Sequence, residues 1–195
     1  MTTSAGERHM ITDGNPLRVL FLCTGNSARS QMAEALLQTK GKGRFTAASA
    51  GSQPAEQVNP IAIDVLAEAG IDWRGRVPKR IDDVIVQHWD IVITVCDRAK
   101  ESCPILPGRP ILAHWGMPDP AAVEGSDEER RRAFEDTAVA LARRIDLFVA
   151  LPTVSLERLA LGHPSCSTLP TVAPVIASTL TSSMPRLPAV FISNE

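Results

Sequence analysis

The amino-acid sequence reads as an α/β protein built on a parallel sheet covered by helices on both faces. Three observations predict this. Short apolar runs such as Leu17-Arg18-Val19-Leu20-Phe21-Leu22 and Asp90-Ile91-Val92-Ile93-Thr94-Val95-Cys96 suit strands buried on both sides. Helical patterns separate those runs, so strands alternate with helices. The length of 195 residues, 44% of them hydrophobic, is enough for one domain with a sizeable core.

Residues 1–16 are polar and punctuated by Asp13-Gly14-Asn15-Pro16, which reads as a flexible leader. The core starts with the strand at Leu17. A helix carrying Met32, Ala35, Leu36 and Thr39 on one side follows. The second strand spans Arg44 to Ala50, and its Ala-Ser-Ala-Gly ending suggests close backbone approach. Pro60 to Ala69 forms a helix with Pro60 in its first turn, Ile61, Val65 and Leu66 on one side, and Gly70 as its stop. Trp73 to Lys79 is a polar loop, and a short helix covers Ile81 to Gln87. Asp90 to Cys96 is the third strand and Pro110 to His114 the fourth. The last helix runs from Asp127 to Ala150, capped by Ser126, with Asp127, Glu128 and Glu129 in its first turn and Arg143 and Arg144 near its end. Leu156, Leu159, Ala160 and Leu161 suit one further helical turn. Residues 162–195 are rich in Pro, Ser and Thr, and repeated prolines favour a disordered tail over a weakly packed extension.

Composition excludes several classes of function. The formal net charge is −2, and no basic stripe with interleaved aromatics is present, so no nucleic-acid partner is expected. No run is long and apolar enough to span a bilayer, and the first residues lack the apolar segment of a signal peptide. A cytoplasmic location without membrane partners is the expectation. In that reducing compartment the four cysteines suit redox chemistry, metal binding or burial better than a disulfide framework.

In parallel sheets of this kind the ligand sits beyond the carboxyl ends of the strands. Cys23 after the first strand, Cys96 ending the third and Asp119 after the fourth all fall there. Cys23-Thr24-Gly25-Asn26-Ser27-Ala28-Arg29-Ser30 reads as an oxyanion cradle. Its Gly, Asn and Ser tolerate turns that aim backbone N–H groups at one point. Arg29 offers a planar fork of donors, and the start of the next helix favours negative charge. The same field is expected to favour thiolate at Cys23 and to lower its titration below that of a free thiol. A lone cysteine at a strand end is often only a small buried hydrophobe, and C-x5-R occurs by chance. Strand, turn-forming loop and helix in succession make the catalytic reading the stronger one.

Cys96 and Cys103, seven residues apart, are weak signals alone. Core packing is one reading, and a zinc site with His88 or His114 is another, though it lacks short paired spacing, so no metal is expected. Beside an oxyanion-holding Cys23 they acquire a role. A nucleophile that has reduced its substrate needs one thiol to resolve it and another to carry the disulfide away.

Three separated segments then agree in order: Cys23 to Glu34, Val95-Cys96-Asp97-Arg98-Ala99-Lys100-Glu101-Ser102-Cys103-Pro104, and His114-Trp115-Gly116-Met117-Pro118-Asp119-Pro120-Ala121. They resemble the thioredoxin-coupled arsenate reductases, which share the fold of the low-molecular-weight protein tyrosine phosphatases. The resemblance covers residues 17–161. It implies a flavodoxin-like three-layer sandwich on a four-stranded parallel sheet. It also implies reduction of arsenate to arsenite, an activity of arsenic detoxification, with electrons from thioredoxin, no bound cofactor, and a monomer. Cys23 would attack arsenate held by Thr24, Gly25, Asn26, Ser27, Ala28 and Arg29, with Ser30 hydrogen-bonding the thiolate. Asp119 would be the general acid. Cys96 would attack Cys23 and Cys103 would attack Cys96, leaving a Cys96–Cys103 disulfide for thioredoxin. Ala28 stands where many relatives have a further cysteine outside this relay. Some relatives bind potassium through Asn, Glu, Ser and Asp. Asn26, Glu34 and Ser49 match the first three, but Lys79 takes the fourth place, so no potassium requirement is expected. The tail, Cys166 included, matches nothing in the family. A phosphatase working through a phosphocysteine is the rival enzyme, although Gln31 and Ala121 replace the Pro and aromatic residue usual there. A non-catalytic thiol module binding arsenite or zinc is the remaining alternative.

Overall fold

Leu17–Cys23 forms the central strand β1, and Val19, Leu20, Phe21 and Leu22 are fully buried. Side chains on both faces of β1 meet the core, which is why it reads as a continuous apolar run. The computed structural model describes residues 16–101, 106–108 and 110–152. The leader through residue 15, Cys103, Cys166, the helical turn expected over 156–161 and the tail from 162 lie outside the described residues.

After β1 come α1 (Arg29–Lys40), β2 (Phe45–Gly51), α2 (Pro60–Glu68), α3 (Ile81–Val84) and β3 (Ile91–Thr94). Then follow α4 (Asp97–Glu101), β4 (Ile111–His114), a 3-10 turn at Pro120–Ala122 and α5 (Asp127–Ala150). The sheet is four-stranded and parallel, in the order β2-β1-β3-β4. The connection through α1 steps one way from β1, while those through α2, α3 and α4 step the other. Right-handed crossovers place such connections on opposite faces, and the reversal opens a crevice at the carboxyl ends of β1 and β3.

Local chemistry sets the element ends. Asn59 accepts the Ile61 N–H at 2.9 Å and Pro60 opens α2. Ser126 and Glu129 close a capping box on α5. Lys40 ties α1 to α5 through Asp146 at 2.7 Å.

Four expectations need correction. β3 spans Ile91–Thr94; the main chain of Asp90 and Val95 still bonds to its neighbours, at 3.0 Å to the Arg18 carbonyl and 2.9 Å to the Leu22 carbonyl, before the chain turns into α4 at Asp97. α3 stops at Val84, and the Gln87 N–H folds back on the Val84 carbonyl at 3.1 Å. Thr39 faces solvent, with its hydroxyl on the Ala35 carbonyl at 2.9 Å. The loop from Trp73 to Lys79 is not polar throughout, since Trp73 is buried and Val77 is an exposed apolar residue.

The glycine ending β2 shows why the chain must come close there. A Cβ on Gly51 would lie 2.5 Å from the Thr24 carbonyl oxygen and 3.0 Å from the Asn26 nitrogen. Both neighbours are backbone and cannot swing aside. Gly51→Ala is therefore expected to lower the unfolding free energy by about 1–3 kcal/mol, measured by chemical denaturation; an unchanged midpoint would show that the strand end can move.

Candidate active site

The loop from Cys23 to Arg29 crosses the mouth of the crevice and is shaped from outside by the segment that follows β2. The carbonyls of Cys23, Thr24, Gly25 and Ser27 accept the N–H groups of Ser52, Gln53, Ala55 and Asn59 at 3.2, 2.9, 2.8 and 2.8 Å. No peptide bond here is cis. In a planar trans peptide the N–H points opposite to the preceding carbonyl, so turning these carbonyls outward turns the next N–H groups inward. The Asn26 N–H shows the result, donating to Cys23 Sγ at 3.0 Å. α1 then starts at Arg29 with no capping side chain and no acidic residue in its first turn. Its first N–H groups remain available to an oxyanion.

A cavity of about 650 Å³ lies at this point. Cys23, Thr24, Gly25, Ser27, Ala28 and Arg29 line one side, Cys96 to Arg98 a second, and Met117 to Asp119 a third. The sheet thus brings together Cys23, Cys96 and Asp119, as the strand ends suggested. Cys23 and Cys96 are both buried free thiols, and the Thr24 hydroxyl lies 3.5 Å from Cys96 Sγ. Cys103 lies outside the described residues.

Asn26 does not line the cavity. It is fully buried beneath the loop at φ 46°, and its side-chain nitrogen donates to Ser30 Oγ at 2.9 Å and Ser49 Oγ at 2.8 Å. Ser49 in turn donates to Glu34 Oε2 at 2.6 Å, and Lys79 Nζ lies 3.2 Å from the same oxygen. The ammonium of Lys79 therefore neutralises the buried Glu34 carboxylate, and the residues here do not fit a bound potassium ion.

Arg29 spans the cavity mouth. Its Nη1 donates to the Met117 carbonyl at 3.0 Å and its Nη2 to Asp119 Oδ2 at 2.6 Å. Asp119 Oδ1 accepts the Ala121 N–H at 3.1 Å, which fixes the carboxyl group at the head of the 3-10 turn. Elsewhere, His114 bridges Thr94 and Asp97 at 2.8 and 3.1 Å, and His88 lies 3.0 Å from Asp90. No group of three or more His, Cys, Asp or Glu able to hold a metal ion occurs among the described residues. No helix among them is long and apolar enough to cross a membrane.

The expected lowering of the Cys23 thiol is overturned. Burial pushes it up, and this outweighs the Ser30 hydroxyl 2.9 Å from the sulfur and the Asn26 N–H. Cys96 adds to the rise, and Arg29 opposes it only weakly. The reason is geometric, since the Arg29 fork is turned to Asp119 and Met117. Sequence reading also missed Trp73, the Thr24 hydroxyl beside Cys96, and the bracing segment from Ser52 to Asn59. A tryptophan in an otherwise polar loop was the one available signal.

Residues 18–151 match the family model described as low molecular weight phosphotyrosine protein phosphatase. Over 130 residues the chain is 39% identical to an arsenate reductase of Halalkalibacterium halodurans, an alignment covering 67% of this chain and 93% of that one. Its structure is similar to that of the arsenate reductase from Archaeoglobus fulgidus DSM 4304, with a TM-score of 0.56 and 34% identity over 68% of this chain and 99% of that one. For the thioredoxin-dependent arsenate reductase of Corynebacterium glutamicum the TM-score is 0.51 and the identity 29%, over 70% and 65% of the two chains.

Two outcomes follow from the site's electrostatics. Because the folded pKa of Cys23 is raised, the thiol's contribution to stability is present below the unfolded thiol value of about 8.5 and is lost as pH rises through the folded value. Alkylation at Cys23, followed by mass spectrometry, should have its midpoint above that of a free cysteine, and Ser30→Ala should raise it further. A midpoint below the free value would contradict the burial argument. Lys79→Met, which strips the cation from buried Glu34, should cost about 1–3 kcal/mol, while unmodified protein should denature at the same midpoint in potassium and sodium chloride of equal ionic strength.

Proposed function

The chain belongs to the low molecular weight phosphotyrosine protein phosphatase family, and from that premise we propose that it reduces arsenate to arsenite through Cys23, Cys96 and Cys103, with electrons from thioredoxin. The observation that carries this reading is the second thiol. Hydrolysis of a phosphoester needs one nucleophile, but Cys96 is buried against the same cavity as Cys23. The resemblance of the relatives, one of them described as thioredoxin-dependent, supports the same choice.

Arsenate takes the inward N–H groups of the loop and displaces Asp119 from Arg29, whose two donors match two oxygens. Cys23 sulfur attacks arsenic and one As–O bond breaks. The Asp119 carboxylate takes the proton that the Cys23 thiol loses and passes it to the departing oxygen, which leaves as water. Cys96 thiolate then attacks Cys23 sulfur. The S–As electron pair stays on arsenic, which departs as arsenite, and a Cys23–Cys96 disulfide remains. Cys103 attacks Cys96, Cys23 leaves as thiolate, and the Cys96–Cys103 disulfide passes to the two thiols of thioredoxin. Helix α4 begins at Asp97, directly after Cys96. If the helix ran on to Cys103, seven residues would span about 10 Å against the roughly 7 Å between Cα atoms that a disulfide allows, and this last step would require it to unwind. The whole cycle needs no bound cofactor and suits a monomer in a reducing cytoplasm.

The cradle and Asp119 also support a second activity, hydrolysis of small aryl phosphates through a phosphocysteine.

Arsenate-dependent NADPH oxidation with thioredoxin and thioredoxin reductase tests the reading. Vigorous phosphoester turnover with no such oxidation would replace it with the phosphatase. Arg29→Lys should lose most activity, at least ten-fold, because an ammonium cannot offer two parallel donors. Cys103→Ser should stop after one arsenite per enzyme with Cys23 and Cys96 linked, as seen by mass spectrometry; sustained cycling would remove Cys103 from the relay.

A further inference from the structure

Trp73 lies between α2 and α3, outside every segment that points to the site. It is nevertheless only 3% exposed, and its indole N–H donates to Gln31 Oε1 at 2.8 Å. An indole nitrogen is a donor only, so Gln31 must turn its oxygen to Trp73 and its NH2 away. That NH2 meets two acceptors, Asn26 Oδ1 at 3.1 Å and the Val77 carbonyl at 3.4 Å. Asn26 Oδ1 also accepts the Lys79 main-chain N–H at 2.7 Å. With its oxygen committed to donors, Asn26 presents its NH2 to Ser30 Oγ and Ser49 Oγ. The Ser49 branch agrees with this sense, because Ser49 passes its hydrogen on to the Glu34 carboxylate. Ser30, accepting from Asn26, keeps its own hydrogen for Cys23 Sγ, 2.9 Å away.

We propose that Trp73 and Gln31 are positioning residues for the nucleophile, fixing the sense of a four-bond chain from Trp73 through Gln31, Asn26 and Ser30 to Cys23 so that a hydroxyl hydrogen faces the sulfur. Were the chain reversed, Ser30 would turn a lone pair to the sulfur, and thiolate would form against an acceptor. Trp73 acts here at four hydrogen bonds' remove, without touching the cavity. The same bonds hold Asn26 in its left-handed conformation, so the loop and the hydroxyl are set together. The proposal rests on Cys23 being the nucleophile, but its test is read without arsenate, so failure of the reductase reading and failure of this chain are told apart.

The test is the pH profile of alkylation at the Cys23 peptide in the full chain, for Trp73→Phe, Gln31→Met and the double variant, with folding checked by circular dichroism. Both substitutions are uncharged; Gln31→Met keeps the size, while Trp73→Phe keeps an aromatic ring and removes the N–H. Gln31→Met should raise the midpoint by about half a pH unit, a roughly three-fold loss of thiolate at fixed pH below it. Trp73→Phe should move it the same way. Since Trp73 acts through Gln31, the double variant should match Gln31→Met alone. A packing role would lower stability without moving the midpoint, or would give additive shifts, and either outcome overturns the proposal. Should Gln31→Met fail to fold, Trp73→Phe decides alone: an unshifted midpoint in that folded variant rejects the chain.

Discussion

Asn26 is held at φ 46°, a left-handed conformation that costs a residue with a side chain and persists only where its surroundings insist on it. The cradle depends on that residue being kept there. Its main-chain N–H reaches Cys23 sulfur, and its side chain is gripped below by Gln31, Lys79, Ser30 and Ser49. From the other side, the amides of Ser52, Gln53 and Ala55 draw the neighbouring carbonyls outward. Two independent sets of hydrogen bonds therefore agree on one loop shape, with its donors facing inward. Such a loop meets an anion without reorganising, which is where preorganised dipoles gain their effect.

The fold was legible because β1 and β3 are buried on both faces and carry unbroken apolar runs, while Ser126 and Pro60 mark helix starts by local chemistry. Cys23, Cys96 and Asp119 were legible for a topological reason, since the carboxyl ends of parallel strands converge. Below the loop, the resemblance grouped Asn26, Glu34, Ser49 and Lys79, but the part of the network that runs through Gln31 and Trp73 was not legible. Asn26 and Gln31, Ser49, and Trp73 and Lys79 come from three separate stretches of chain, and no period links them. Trp73 in particular looked like a loop residue because its neighbours are polar, and only tertiary packing buries it. The charge state of Cys23 was misread for a related reason. Motif and helix start both argue for thiolate, but burial and the orientation of Arg29 are properties of the folded site.

One cradle serves two chemistries in this family, and the choice between them lies beyond its rim. A loop that holds a tetrahedral anion against a thiol prepares either phosphoryl transfer or reduction. What differs is the group that next meets the sulfur. Here the Thr24 hydroxyl links the loop to Cys96, so the second thiol belongs to the wall of the site. Burial pushes the Cys23 thiol up, and a sulfur without charge does not repel an incoming oxyanion.

The pairing of Arg29 with Asp119 has a consequence for selectivity in salt. A guanidinium left facing solvent at the mouth of an anion site would attract chloride and other simple monoanions. Here an anion that takes the guanidinium must first replace the Asp119 carboxylate. A spherical monoanion offers one contact in exchange and gains little by it. A tetrahedral oxyanion offers several oxygens, to the fork and to the loop amides together, and wins the exchange. The arginine thus carries its own competitor, one that a simple ion must displace and a tetrahedral oxyanion displaces more readily.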